Sequence, residues 1–458
     1  MPRKLNAILI GAGARGADTY GEYALGHPDE IEFVAVAEPI DTRRNLFVEK
    51  HQIPQDKSFT SWEKLLELDK IAEIAIIATQ DQMHAEPAIQ ALEKGYDVLL
   101  EKPMATSVDK CKKLVEVSEK TGKLLFVCHV CRYTEFYSSI HSLIKSGRIG
   151  EVVNISLREN VSSFHYAHSY IRGHWHNREK TSPMILAKSC HDMDILFWLI
   201  GSSSKRISSF GSQTHFGREN QPKGAPDRCT DGCPVSDSCL YYAPRIYIDI
   251  EPLLQVSSKG GTLFEKFISK SVLKYPKLKR FYPFNKINQV EEWPVSTITN
   301  DFSLEGRMKA LRETNYGRCV YAMEDHNVVD HQVVNIEFEN KVTATFTLHG
   351  FSHEEGRTLR IDGTRGTIIG DFLFSGDTIR LMDAYTGKEE IIRKTGIISG
   401  HSGGDERLIK SFLQTVRERG NQHSLTDARS ALESHLMAFA ADKARLENKV
   451  VEMDKFRK

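Results

Sequence analysis

The sequence predicts an α/β fold in two parts. Residues 1–128 read as a doubly wound parallel sheet, and residues 129–458 as a second α/β domain with antiparallel strands. Three observations lead there. An apolar run, Ala7 to Ile10, feeds directly into Gly11-Ala12-Gly13-Ala14-Arg15-Gly16. Apolar runs then alternate with amphipathic stretches of roughly ten to fourteen residues up to Cys128, the rhythm of βαβ units. Past residue 330 short runs follow one another with tight reversals, as in an antiparallel meander.

The first element sets the chemistry. A continuous apolar run suits a strand buried on both faces. Each glycine after it has its own use. Gly11 allows the tight turn, Gly13 lets backbone approach a pyrophosphate, and Gly16 lets the next helix pack on the strand. A helix N-terminus at that point attracts phosphate. The second run, Ile31 to Ala37, ends at Glu38, at the spacing expected of an acid that holds a ribose hydroxyl. The unit therefore reads as a Rossmann dinucleotide site, with NAD as cofactor because a carboxylate repels a 2′-phosphate. Arg43 and Arg44 follow closely and keep NADP open.

The remaining elements follow in order. Helices are expected at Asp41–Lys50, Trp62–Leu68 and Met83–Lys94, the last ended by Gly95. A strand is expected from about Glu73 to Thr79, and another over Tyr96–Leu100. Ser107 precedes a helix over Val108–Thr121 that Gly122 stops, and Leu124–Cys128 is one more strand. Glu135–Ser146 is helical, Val152–Glu159 alternates like a half-wet strand, and Lys188–Leu199 is a helix. Ile207–Thr214 is a strand. Residues 217–310, rich in Pro, Gly, Lys and Ser, carry no readable period. Strands are then expected at Gln332–Glu339, Val342–His349, Thr358–Asp362, Gly366–Gly370 and Thr378–Met382. Helices over Asp405–Arg417 and Thr426–Asn448 close the chain.

Composition excludes several classes. The 458 residues carry 61 Lys plus Arg and 61 Asp plus Glu. That balance lacks the basic surplus of a nucleic-acid binder. No apolar run is long enough to span a membrane. Met1-Pro2-Arg3-Lys4 before an apolar segment is signal-peptide-like only in outline, since that segment is short and is the first strand. A cytoplasmic location is expected. Eight cysteines in a chain this long are not a disulfide framework.

Five stretches could carry chemistry. Glu101-Lys102-Pro103 follows a parallel strand, at the sheet edge where ligands bind in open α/β folds. Pro103 restricts Lys102 to extended conformations, and Lys102 can meet a nicotinamide or a substrate hydroxyl. Thr79 to His84 follows the neighbouring strand at the same edge and reads as a cofactor-lining loop or a polar cap. Residues 164–178 concentrate His165, His168, His174, His176, Trp175, Arg172 and tyrosines; such groups bind polyols and stack on sugar rings. Lys188-Ser189-Cys190-His191-Asp192-Met193-Asp194 opens a helix on which His191 and Asp194 share a face. An imidazole held by that acid can act as a general base. Cys229, Cys233 and Cys239 lie in a Pro/Gly-rich loop at a spacing that fits neither a zinc finger nor a ferredoxin run. A fourth ligand is not evident nearby, so free thiols or a stress-formed disulfide are expected, with a bound metal left open and no metal that catalysis needs.

These pieces, in this order, resemble the glucose–fructose oxidoreductase, inositol dehydrogenase and rhizopine-catabolism (Gfo/Idh/MocA) family. The likeness is carried by A-I-L-I-G-A-G-A-R-G, I-A-T-Q-D-Q-M-H-A-E-P, D-V-L-L-E-K-P, C-R-Y-T-E-F-Y, L-A-K-S-C-H-D-M-D and L-R-I-D-G-T-R-G-T-I-I-G. The resemblance implies a second domain with a large, mostly antiparallel sheet that commonly joins subunits as homodimers or homotetramers. It implies an NAD(P)-dependent oxidoreductase acting on a hydroxyl-bearing carbon of a sugar, sugar derivative or cyclitol. The family also holds redox-neutral, NAD-using glycosidases and lyases, and binding proteins without chemistry. Lys102 is then the active-site lysine and His191 the proton acceptor. Ala14, Arg15, Arg43, Thr79, His84, Glu101 and Arg132 join Gly11, Gly13, Gly16 and Glu38 around the cofactor. His168, Arg172, Trp175 and Lys188 are assigned to the substrate. Two positions depart from the family pattern. Gln80 replaces a proline, and Ala187 replaces an acid four residues before His191, with Lys188 beside it lowering the histidine pKa.

Overall fold

The computed structural model describes residues 3–285, 290–395, 403–418 and 427–458. The strands are β1 (Leu5–Ile10), β2 (Ile31–Ala37), β3 (Ser58–Phe59), β4 (Ile74–Ile77), β5 (Asp97–Leu100), β6 (Leu125–Val127), β7 (Val152–Ser162) and β8 (Ser204–Ser212). They continue as β9 (His331–Phe338), β10 (Thr343–Ser352), β11 (Gly356–Gly363), β12 (Gly366–Leu373), β13 (Gly376–Asp383), β14 (Glu389–Lys394) and β15 (Val451–Glu452).

The first six form one parallel sheet in the order β3-β2-β1-β4-β5-β6. The order reverses beside β1, so the carboxyl ends of β1 and β4 flank the crevice where such sheets bind ligands. Continuous apolar runs made these strands readable: Ile8, Leu9, Ile74, Ala75, Val98 and Leu99 are all fully buried. The helix over Val108–Thr121 keeps its predicted bounds. The Ser107 hydroxyl accepts from the Lys110 N–H at 3.4 Å, and Gly122 ends it at φ +62. The helix after the glycine turn opens as a wide π-helical segment, Ala14–Gly21, before Glu22–Gly26. Such widenings cluster at functional sites.

The other nine strands form a mixed sheet in the order β14-β13-β12-β11-β7-β10-β9-β8-β15. The expected meander is corrected here. Strand β7, from earlier in the chain, inserts between β10 and β11 and pairs parallel to β10 and antiparallel to β11. Alternation within each strand showed which face is buried, but not which strand would be the neighbour. Inward residues such as Ile155, Leu157, Phe346, Leu348 and Ile361 are buried, while Asn154, Ser156, Thr345 and Arg360 point the other way and are exposed or half-buried. Strands β3, β14 and β15 carried no readable signal. Thr426, where the sequence starts the last helix, lies outside the described residues; the helix runs Ala428–Glu447. It returns to the first domain, where Asp427 bridges to Phe126 and His435 Nε2 accepts from the Met104 N–H at 2.9 Å. No helix among the described residues is long and apolar enough to cross a membrane.

Candidate active site

The glycine turn closes as its sequence requires. Gly11 has φ +94, and a Cβ there would stand 2.6 Å from the Ala78 carbonyl oxygen; only glycine fits. A Cβ on Gly16 would lie 1.9 Å from the Gly11 oxygen. At Gly13 the surroundings are open, and the nearest atom to such a Cβ is Arg43 Nη1 at 4.0 Å. An open backbone turn at a helix start, beside a guanidinium, suits a pyrophosphate. Glu38 is buried at the end of β2. One carboxylate oxygen accepts from the Ala12 N–H at 2.8 Å and the other from the Ile40 N–H at 3.0 Å. Each oxygen retains acceptor capacity for a ribose hydroxyl. The residues present therefore fit NAD.

Two side chains expected at the cofactor are engaged with protein partners. Arg15 Nε donates to Glu101 at 2.6 Å and its Nη2 to Asp405 at 2.7 Å, so the Arg15 guanidinium joins the two domains rather than facing the turn. Glu101 also accepts from the Tyr20 hydroxyl at 2.7 Å. Burial works to raise its pKa, but Arg15 and Tyr20 more than reverse this and hold it below the ordinary carboxylate value. Arg132 is the second. It is buried, donates from Nε and Nη2 to the two oxygens of Asp194 at 2.7 and 2.5 Å, and reaches Ser430 at 2.9 Å. Asp194, which the sequence places on the same helix face as His191, is thus engaged by a buried guanidinium.

Thr79 and His84 shape the crevice edge. The His84 ring stands between the Pro103 carbonyl, 2.6 Å from Nδ1, and the Thr79 carbonyl, 3.1 Å from Nε2. It thereby pins together the loops after β4 and β5.

Lys102 leaves the end of β5 and enters a cavity of about 210 Å³ between the domains. His191, in the first turn of the helix Cys190–Ile200, lines the same cavity, with Lys188, His165, Glu159, Glu355 and Arg357. Lys102 Nζ donates to the Ala187 carbonyl at 3.0 Å. Backbone oxygen thus serves where the resemblance implied an acid. The floor is a buried ion network. Lys188 Nζ lies 3.0 Å from Glu355 and 3.3 Å from Glu159. Arg357 reaches Glu159 and Asp192, each at 2.7 Å. Glu355 also accepts from the Ser162 N–H and hydroxyl, and stands 2.9 Å from His165 Nδ1. Burial lowers the Lys188 pKa, but the two carboxylates outweigh it and the net shift is upward. Burial pushes Glu159 up to about 7, against the pull of Arg357 and Lys188.

The substrate assignments divide. Lys188 lines the cavity, but His168 and Arg172 do not. His168 Nδ1 stands 2.9 Å from the Tyr247 hydroxyl, its ring stacks on Tyr316, and burial drives its pKa down to about 3. Arg172 donates to the Arg318 and Tyr241 carbonyls at 2.8 and 2.7 Å. Trp175 Nε1 donates to Asp81 at 2.9 Å, tying the histidine-rich loop to the cofactor-side loop. The polar density of residues 164–178 was visible, but folding spends most of it on internal partners. Glu159, Asp192, Glu355 and Arg357 were missed. A charge at the end of an alternating strand, Glu159, was the one signal available.

A dinucleotide-type sheet delivers a lysine into a cavity shared with a second α/β domain, the arrangement of a two-domain dinucleotide-binding protein. Family models agree. The NAD-binding Rossmann fold of the Gfo/Idh/MocA oxidoreductases matches residues 5–129, and the C-terminal α/β domain of that family matches 141–242 and 299–453. The chain belongs to the Gfo/Idh/MocA oxidoreductase family. It is 22% identical to YteT of Bacillus subtilis (strain 168) over 80% of this chain and 77% of that protein. It is 27% identical to the inositol 2-dehydrogenase of Salmonella typhimurium (strain LT2), over 45% of this chain and only 57% of the dehydrogenase. Its fold matches a levoglucosan dehydrogenase solved with NADH and levoglucosan, with a TM-score of 0.65, 15% identity and coverage of 98% and 99% of the two chains.

Proposed function

We propose that this protein is an NAD-dependent dehydrogenase of a neutral sugar, sugar derivative or cyclitol. The observation that carries this reading is the meeting of Lys102 and His191 in one small, charge-balanced cavity. The two cations of the floor, Lys188 and Arg357, are paired with Glu159, Glu355 and Asp192, and Lys102 stands beside them. With the floor cations already engaged, a sugar acid or sugar nucleotide would find little counter-charge. The volume, below the ~300–1,000 Å³ of drug-sized ligand sites, suits one small ring. The inositol and levoglucosan enzymes named above act on, or hold, ligands of this kind.

Bound nicotinamide supplies the acceptor for the hydride leaving a ring C–H. The chain handles the rest. Lys102, fixed by Pro103 and by the Ala187 carbonyl, donates to the substrate oxygen and orients it. His191 takes the hydroxyl proton as the C–H bond breaks. The buried ion network holds the floor rigid and leaves few mobile charges. Glu38 selects NAD through the ribose, with Arg43 beside the glycine turn. We assign the protein to the cytoplasm, as a homodimer or homotetramer built on the open face of the nine-stranded sheet.

The test is incubation of the purified protein with NAD and a panel of neutral sugars, cyclitols and the matching uronic acids. NADH formation with a neutral member is the expected result. Product without net NADH would assign a redox-neutral glycosidase or lyase, and binding without turnover a sensor.

A further inference from the structure

The segment from Gln213 to Tyr242 contains no strand and only one short helical turn, Arg218–Asn220. Irregular segments of this length inside a compact domain are uncommon and need some other means of support. Its three cysteines and a fourth, distant in sequence, supply a candidate. Cys229, Cys233, Cys239 and Cys319 all line one cavity of about 10 Å³. That is about the room one water-sized sphere requires. The backbone brings them together. The Cys229 N–H donates to Gly317 O at 2.9 Å, and the Cys319 N–H to Asp227 O at 2.8 Å, around an antiparallel bridge between Arg228 and Arg318. All four are free thiols.

Arg172 lines the same cavity, and only 2% of it is exposed. Its Nη2 approaches Cys229 Sγ at 3.7 Å, while its Nη1 is buried with no hydrogen-bond partner among the described residues. A buried guanidinium with an unmet N–H calls for nearby negative charge. Four neutral thiols do not provide it, whereas a tetrathiolate metal centre carries two net negative charges.

We propose that Cys229, Cys233, Cys239 and Cys319 form a structural zinc site that staples this segment, with Arg172 as the cation beside it. Zinc takes four thiolates tetrahedrally in closed structural sites. Binding releases one proton from each thiol and leaves the metal's oxidation state unchanged. Among the described residues no group of three His, Cys, Asp or Glu side chains is arranged to hold a metal ion, so zinc binding requires the four thiols, which line one cavity, to reorient. The site is distinct from the Lys102 cavity, whose lining shares no residue with it.

Elemental analysis of protein expressed with added zinc and purified without chelator should find about one zinc per chain. Cys233→Ser and Cys319→Ser should each lose it. Chelator-stripped, reduced wild-type protein titrated with Co²⁺ should develop thiolate charge-transfer and tetrahedral d–d absorption, and this arm stands even where a variant fails to fold. Zinc far below one per chain together with a featureless Co²⁺ titration would overturn the proposal. So would full zinc retention in both variants, or a disulfide among these cysteines in the freshly purified protein.

Discussion

Asp194 receives both Arg132 Nε and Arg132 Nη2, at 2.7 and 2.5 Å, in a pair that is almost wholly buried. This bidentate contact joins the start of the second domain to the helix that carries His191. Removing one partner of a buried pair leaves the other charge stranded, at a cost of about 3–5 kcal/mol. Arg132→Ala should therefore lower the melting temperature sharply, measured by calorimetry, while NAD affinity of the protein that still folds changes little. A large loss of NAD affinity at unchanged stability would return Arg132 to the cofactor.

Lys102→Ala and His191→Ala should each reduce turnover on the identified substrate by about 10²-fold or more. Cofactor affinity, read by fluorescence titration, should hold. The double variant should fall far short of additive loss if the two act as one unit. If His191→Ala keeps most of its activity, His165, on the same cavity wall, is the next proton acceptor to examine.

Glu38→Ala should narrow the preference for NAD over NADP. It should also reduce stability, by about 1–3 kcal/mol, because the buried N–H of Ala12 and the more exposed N–H of Ile40 lose their acceptor. Parallel titrations with both cofactors and a thermal melt separate the two effects. A wild-type preference for NADP would refute the assignment.

The ion network makes stability depend on pH in a stated direction. Burial raises Glu159 to about 7, above its ordinary 4.5. The folded state then binds an extra proton between those values, so stability from this group declines as pH rises through that window. Glu355 is shifted the other way, despite burial, by His165 and Lys188. Its contribution is present above the ordinary carboxylate range and is lost as pH falls below it. Glu159→Gln should flatten the decline between about pH 5 and pH 7.5 by an amount on the order of 1 kcal/mol. The difference between melts at the two pH values is the measurement, and an unaltered difference would move the effect to another group.

The nine-stranded sheet offers Asn154, Ser156, Thr345 and Arg360 on its outward face, with Phe210 and Met382 exposed toward its ends. Light scattering at micromolar concentration should find a closed symmetric oligomer. A monomer alone would show that this face is stable against water, as antiparallel sheets can be.

By itself the sequence determined the parallel sheet, the glycine turn, Glu38, and the placement of Lys102 and His191 at element ends. These are local facts. A strand buried on both faces is a continuous apolar run, a turn at positive φ demands glycine at Gly11, and a helix boundary at Ser107 or Gly122 is set by a few backbone hydrogen bonds. The tertiary structure alone decided which charges meet. Glu159, Glu355, Lys188 and Arg357 come from three separate stretches of chain, and their pairing depends on β7 threading between β10 and β11, a choice no local period encodes. The same reason explains why Asp194 meets Arg132, why Arg172 and His168 serve the interior, and how Cys319 reaches a loop whose other cysteines lie far from it in sequence. Buried polar groups take whichever partner packing brings within reach, and that is a property of the whole fold.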